Sequence, residues 1–527
     1  MTPDIPTRMR VESGSSVEWR WPVGAMLVVF LFAAPSLRDA GFLLDDTVNL
    51  ARHAHHGDIL GEWHTPTYTH ADPTRGGHVW RPIPASLQHL LAVFVGRDTA
   101  LPFRLLTLGF HLVNVLLAYA LARGLGASTH LATGAAIVAG AHAIALESAC
   151  WASCLFDVSM TTVVLGFAVL NRRVGTNLGL ALAAGAAGVL ASLCKETSIA
   201  LWPVVAGTTW VSSPDPGRDR ATRTATAGIA YLLGTIGVLG YHDQLTGQPY
   251  ASAIHTGSIV AYFAAWLQAA GWWFNHGGGA PLSHGFVAAE FAPLSLGVAT
   301  LAIGCVAAES MRRHIAPRSP LGWLALLAWL APLAPAAIVV VTTGTASVRL
   351  GYAGWLLAIP VGFAALGGTC GVRYPRGLLA VLGIVAAASS VGSLSRPSAL
   401  RTEVTLWRDE LAYEPTSWAQ ARAARFRWVD DHSDAALVQW RAAIEAAPSG
   451  LLFVKPRSEW WDYAQAAFLS GRPTWALHAL DTLAILAVSS GDLPPMYPCL
   501  RADTLDLLGR SDEANVASRA CPGAPSR

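Results

Sequence analysis

As far as residue 394, hydrophobic blocks of about membrane-crossing length alternate with short segments that hold most of the Arg, His, Asp and Glu. The blocks cover 21–37, 101–122, 131–149, 158–170, 178–194, 199–211, 224–241, 291–308, 321–341, 351–368 and 377–394. With the N-terminus inside, Arg123, Arg172, Arg173, Arg218, Arg220, Arg223, Arg312, Arg313, Arg373 and Arg376 all fall on the cytoplasmic side, as the positive-inside rule requires. Counting the apolar stretch 258–274 as a further crossing would turn Arg312, Arg313 and Arg318 outward. This stretch, with Trp266, Trp272 and Trp273, therefore reads as a re-entrant or interfacial helix. The pattern predicts an all-α polytopic membrane protein with about eleven transmembrane helices. It has a cytoplasmic N-terminus over 1–20, a membrane domain over 21–394 with an outer loop over 38–100, and a C-terminal domain over 395–527 on the outer side.

Beyond residue 394 the hydropathy drops and the period becomes that of amphipathic helices. Pro415 and Pro448 stand 33 positions apart (448 − 415), and two similar units follow, with Gly471 and Gly509 at equivalent turns. Asp431 stands where the first unit would have its turn glycine. The spacing is similar to that of tetratricopeptide repeats, whose period is about 34 residues, and implies roughly three units forming a docking module or a stabilising cap.

Composition agrees with a membrane protein: 53% of the 527 residues are hydrophobic and only 13% charged, too few charges to cover a soluble globule of this size. A net charge of +2 gives no reason to expect a nucleic-acid partner. Lys195 and Lys455 are the two lysines, and this arginine bias with abundant Ala and Gly suits a GC-rich bacterial genome, hence the inner membrane of a bacterium. Arg8, Arg10 and Arg20 before the first block suit a retained signal anchor better than a cleaved leader, since no small-x-small site follows Leu37. Cys150 and Cys154, four apart, read as ordinary packing, while Cys499 and Cys521 would pair in an oxidising compartment.

With this topology the unusual polar residues gather on the outer face. Asp45 and Asp46 follow directly on the first crossing. One of them can cap a helix starting near Thr47, which leaves the other carboxylate available as a general base beside low-dielectric lipid. In the outer loop, His53, His55, His56, His64, His70, His78 and His89 are dense enough to admit a divalent metal, although their spacing fits no familiar ligand set; solvated or hydrogen-bonding histidines are the competing reading. No firm cofactor is implied. Arg81, before Pro82 and Pro84, can grip a phosphate bidentately or snorkel at the interface. His111 and Asn114 share a helix face and suit interhelical hydrogen bonds. His142, Glu147 and Asp157 lie around the third outer turn, Lys195 beside Glu196 ends a span, and Arg349 precedes Tyr352 at another outer helix start. Ionisable groups held near lipid commonly mark function, with ion pairs between helix ends as the structural alternative.

Taken in order, LLDD at 43–46, WRPIPASLQHLL at 80–91, HLVN at 111–114, HAIALE at 142–147 with Trp151 and Asp157, LCKE at 193–196 and RLGY at 349–352 resemble the GT-C superfamily of polytopic glycosyltransferases. The likeness is to the transmembrane O-mannosyltransferase-like proteins that carry tetratricopeptide repeats. It implies an inverting transfer of mannose or a similar hexose from a polyprenyl phosphate carrier to a hydroxyl acceptor, a protein Ser or Thr above all, on the outer face. Asp45 or Asp46 would be the base, and Arg81, Lys195 and Arg349 would hold the donor phosphate. His111, Asn114, His142, Glu147, Asp157, Glu196 and Tyr352 would support them. The expected partners are the lipid-linked donor, membrane lipids, and a protein or glycan acceptor docked on the repeats. The chain departs from the family in having Leu155 and Phe156 where a Gly-Arg pair usually precedes the aspartate, and Ile83 where leucine follows Arg-Pro.

Three other readings compete. Transfer to a glycan or lipid acceptor keeps the chemistry and changes the acceptor. A transporter or flippase for lipid-linked sugars would show internal repeats and polar groups at mid-membrane, and a non-catalytic scaffold would not need Asp45, Asp46, Arg81 and Lys195 on one side.

Overall fold

The computed structural model describes residues 19–43, 46, 59–64, 80–213, 218–246, 259–270, 301–302, 304–305, 308–309, 320–335, 337, 351–370, 397–398, 400–402, 404–408, 417–446, 456–487, 493–494 and 496–521. Among them the architecture is all-helical, without a strand.

Helix α1, Arg20–Ala33, tightens into a 3-10 turn over Ala34–Leu37, where Pro35 cannot continue the α-helical ladder. In the expected outer loop a short α2, Gly61–His64, precedes α3, Pro82–Val95, whose two prolines occupy the first turn where a missing N–H costs nothing. Helix α4, Leu101–Gly124, is followed by Gly126 at φ 101°. Helix α5, Thr129–Ala141, starts at Ser128, whose hydroxyl accepts from Leu131 N, and meets α6, Ala143–Cys150, at a 59° bend. A 3-10 turn over Ala152–Cys154 leads into α7, Leu155–Leu170. Helix α8, Asn177–Cys194, is capped by the Thr176 hydroxyl. A 3-10 turn over Glu196–Leu201 then leads into α9, Trp202–Ser212, and α10, Arg218–Thr246, follows. Next come α11, Ile259–Ala270, α12, Leu321–Leu330, and α13, Tyr352–Cys370.

Helix α4 is central, packing on α1, α5, α7 and α13, while α10 runs against both α8 and α9. The α8–α10 contact is backbone to backbone: a Cβ on Gly188 would run into the Tyr231 carbonyl, and one on Gly234 into that of Gly185. Small residues of this kind let helices approach where lipid removes the ordinary hydrophobic drive.

Among the described residues five helical spans are long and apolar enough to cross a membrane: Arg20–Leu37, Leu101–Gly124, Ala152–Arg173, Asn177–Cys194 and Arg218–Leu245. The bent α5–α6 pair would make a sixth. This is the character of a membrane protein. Of the eleven expected crossings, 291–308 and 377–394 lie largely or wholly outside the described residues. The expected 199–211 crossing is an eleven-residue helix behind a 3-10 turn; eleven α-helical residues rise only about 16 Å, half of a hydrocarbon core about 30 Å thick. Over the described residues the apolar helices at 82–95 and 321–335 are shorter than a crossing, whereas α13, of 19 residues, has a length close to that of one. The re-entrant or interfacial stretch expected at 258–274 is represented by the 12 residues of α11.

The C-terminal helices pair in sequence. Helix α14, Ser417–Asp431, packs on α15, Asp434–Ala446; α16, Pro456–Leu469, on α17, Pro473–Ala487; and α18, Tyr497–Leu507, on α19, Ser511–Ser518. The left-handed turn residues are His432, Gly471 and Gly509, so 39 and then 38 residues apart. The first turn therefore falls one residue after the expected Asp431, whose carboxylate instead accepts from Ser433 N. Cys499 and Cys521 form a disulfide, and Cys150 and Cys154 are buried without one.

Candidate functional site

The 3-10 turn between α6 and α7 and the first turn of α7 form a hub. Asp46, only 1% exposed, reaches it through Oδ1, which accepts from Ser153 N at 2.8 Å and Ser153 Oγ at 2.6 Å. Its Oδ2 accepts from Leu43 N at 2.9 Å. The aspartate thereby closes its own loop and pins that loop to the hub. Gln88 of α3 and Thr107 of α4 both donate to the Ala152 carbonyl, so four segments distant in sequence meet within these few residues.

Three residues further on, the hub carries the charges. Arg81 forms a two-pronged pair with Glu196, its Nε donating to Oε2 at 2.8 Å and its Nη2 to Oε1. Lys195 Nζ donates to Asp157 Oδ1. The Phe156 ring lies under the guanidinium, 4.9 Å from Cζ, a cation–π arrangement. Each of these four charged side chains is mostly buried, and the quartet as a whole is electroneutral. Burial by itself disfavours the ionised form of Glu196, but the Arg81 guanidinium, assisted by the Lys195 ammonium, holds its carboxyl down to about 2.

The supporting residues separate into two groups. His111, Asn114 and Tyr352 form one buried interhelical network. The Gly140 carbonyl can only accept, so His111 Nε2 carries the proton and donates to it at 3.1 Å. His111 Nδ1 must then accept from Tyr352 Oη at 2.8 Å, and Tyr352 in turn accepts from Asn114 Nδ2 at 3.0 Å. His142 starts α6, its Nδ1 accepting from Ile144 N, with its ring centroid 4.0 Å from that of Trp355. Glu147 is buried within α6. These residues hold helices together around the hub.

Asp45, Arg349, His53, His55, His56, His70 and His78 lie outside the described residues. Of the other outer-loop histidines, His89 shares a hydrogen bond with Glu62 at 3.1 Å, both side chains being buried. Among the described residues no group of three or more His, Cys, Asp or Glu is arranged to hold a metal.

Two contributors escaped the sequence reading. Ser153, an ordinary serine in a short turn, carries no pattern signal. Arg104 does carry one: an arginine inside an apolar block is expensive to bury unless it is used, and it is fully buried, donating to the carbonyls of Ser36, Gly41, Leu400 and Arg401. At the opposite end of the helices, the arginines expected on the cytoplasmic side tie interhelical turns, Arg223 donating to the Val174 and Gly175 carbonyls and Arg123 to that of Ala127.

Comparison with family models, with curated proteins and with solved structures gives no match for the chain. The functional argument therefore rests on the residues and their geometry.

Proposed function

We propose that the chain is an inverting glycosyltransferase of the GT-C type, moving a sugar from a polyprenyl phosphate carrier to a hydroxyl acceptor on the outer face of a bacterial inner membrane. The observation that carries this reading is the convergence of Asp46, Arg81, Asp157, Lys195 and Glu196 on one hub at one end of the helices, with the basic turn residues Arg123 and Arg223 at the other. A base beside an acceptor and cations beside a departing phosphate are the two needs of such a transfer.

In the proposed step the base takes the acceptor hydroxyl proton as that oxygen bonds to the anomeric carbon. The bond from this carbon to the phosphate oxygen breaks, and its electron pair leaves with the polyprenyl phosphate. One displacement inverts the centre. Asp46 is an unsuitable base, because three hydrogen bonds engage its oxygens and almost none of it is exposed; Asp45 takes that role, with Asp46 holding the loop. The Lys195 ammonium can donate three hydrogen bonds, one of which goes to Asp157, and Arg81 and Arg349 complete the phosphate grip. The remainder of the eleven crossings and the reading of the three helical hairpins as tetratricopeptide-like units belong to the same proposal. The Cys499–Cys521 disulfide supports an oxidising, outer location for the hairpins, where they would dock a protein or glycan acceptor.

The test is sugar transfer in membrane vesicles with a labelled polyprenyl phosphate sugar. Wild type transfers. Asp45→Asn inserts and binds donor but loses about 10²–10⁴-fold in rate, and Asp46→Asn loses less. Full activity of Asp45→Asn removes the acid from the mechanism, and no turnover by wild type with several donors shifts weight to a lipid-linked sugar transporter.

A further inference from the structure

The C-terminal hairpins do not simply follow the membrane domain. Their stem, around residues 400–407, is laid against the loop that leads to the acid pair. Gly41 N donates to the Arg401 carbonyl at 2.8 Å, and Arg401 returns the contact, its Nε donating to the Arg38 carbonyl at 2.9 Å and its Nη2 pairing with Asp39. Asp39 has φ 53°, a conformation unusual for a residue with a side chain. A Cβ on Gly41 would touch the Thr402 side chain at 3.4 Å. Leu400 and Leu406 are buried with Leu43, Leu146 and Trp151 in the membrane domain, whereas the next residue, Trp407, is buried in the core of the hairpins.

Beneath this seam sits Arg104. Its guanidinium donates to two carbonyls of the loop, Ser36 and Gly41, and to two of the stem, Leu400 and Arg401. Its charge also acts on Asp46, the residue that closes the same loop. Only a planar fork with several fixed donors can bind four carbonyls from two directions; an ammonium cannot.

We infer that Arg104 is a positioning residue that fastens the stem of the hairpins to the loop carrying the acid pair, so that the place of the acid depends on the stem. The inference rests on the glycosyltransferase reading for its effect on transfer, though not for the fastening itself. The hairpins are on this view part of the catalytic architecture, and a displacement of them reaches the acid through three or four residues of seam.

Hydrogen exchange on the full-length protein, read over 36–46 and over 398–408, tests the fastening, and transfer kinetics test its consequence. Arg104→Gln speeds exchange in both segments together by about tenfold or more. It lowers kcat by about a hundredfold, as a displaced catalytic group does, and leaves the donor KM unchanged; Arg104→Lys does not restore it. If Arg104→Gln fails to fold, Arg401→Ala, which keeps Arg104 and removes the outer tie, serves with the same two readouts. Faster exchange in one segment only overturns the fastening. Faster exchange in both with unchanged kcat overturns the positioning role. If wild type transfers no sugar, the exchange result still decides the fastening, and the glycosyltransferase reading alone fails.

Discussion

The Phe156 ring lies under the guanidinium of Arg81, 4.9 Å from its Cζ. A second cation there would have competed with Arg81 for Glu196; an aromatic face instead stabilises the one cation present. The pair it supports is insensitive to pH over the working range. With its folded value near 2, below an ordinary value of 4.5, Glu196 contributes stability that is fully present above about 4.5 and lost as pH falls toward 2. In the proposed transfer, any acidic limb of the rate profile above about pH 4.5 should therefore be the same in wild type and in Glu196→Gln. Glu196→Gln should keep that limb while lowering thermal stability, breaking a mostly buried pair at a cost of about 3–5 kcal/mol. Disappearance of the limb in Glu196→Gln would make Glu196 the titrating group and count against the assignment.

At the scale of elements, helix positions followed from apolar blocks and caps, whereas helix lengths did not. The blocks at 178–194 and 101–122 correspond closely to α8 and α4. The block at 131–149 is broken at His142, because that side chain caps a new helix instead of continuing the old one. A histidine in an apolar run shows no such intention until its ring has Trp355 to rest on. The α8–α10 seam was equally illegible, since glycines in apolar blocks are common and only the partner backbone gives Gly188 its purpose. Gly188→Ala should force these helices apart at a cost of about 1–3 kcal/mol, read as a lower midpoint of thermal unfolding in detergent, while alanine at Gly166, which has open space around it, should be nearly neutral. Equal effects at both sites would show that close approach is not what holds the seam.

For the whole molecule, the first crossing, the hub and the hairpin stem form one continuous body through Arg104 and the leucines around Trp151. At the far end of the hairpins the Cys499–Cys521 disulfide closes 22 residues of chain across α18 and α19. Loop closure of this size is worth about 3 kcal/mol in the chain-entropy account. Protein isolated without reductant should resist alkylation at these two cysteines, and reduction should lower the unfolding temperature of the hairpins before that of the membrane helices. Ready alkylation in the unreduced protein would argue for a reducing compartment and against an outer C-terminus.

That the chain is helical, that it belongs to a membrane, which end its basic turn residues occupy and where the C-terminal pattern changes can all be read from the order of residues, because hydropathy period, charge asymmetry and turn residues are local properties. That order also nominated Asp46, Arg81, Asp157, Lys195 and Glu196, since ionisable groups beside lipid stand out in any apolar background. How they are used depends on contacts that exist in the folded chain alone. The two cations proved to be paired with two of the three carboxylates, the third, Asp46, proved to be engaged by Ser153, and Arg104 emerged from an apolar block as the residue holding loop and stem together. Hydrogen bonds between residues as far apart as 104 and 401 depend on the closure of the whole chain, and no periodicity within a single element encodes them.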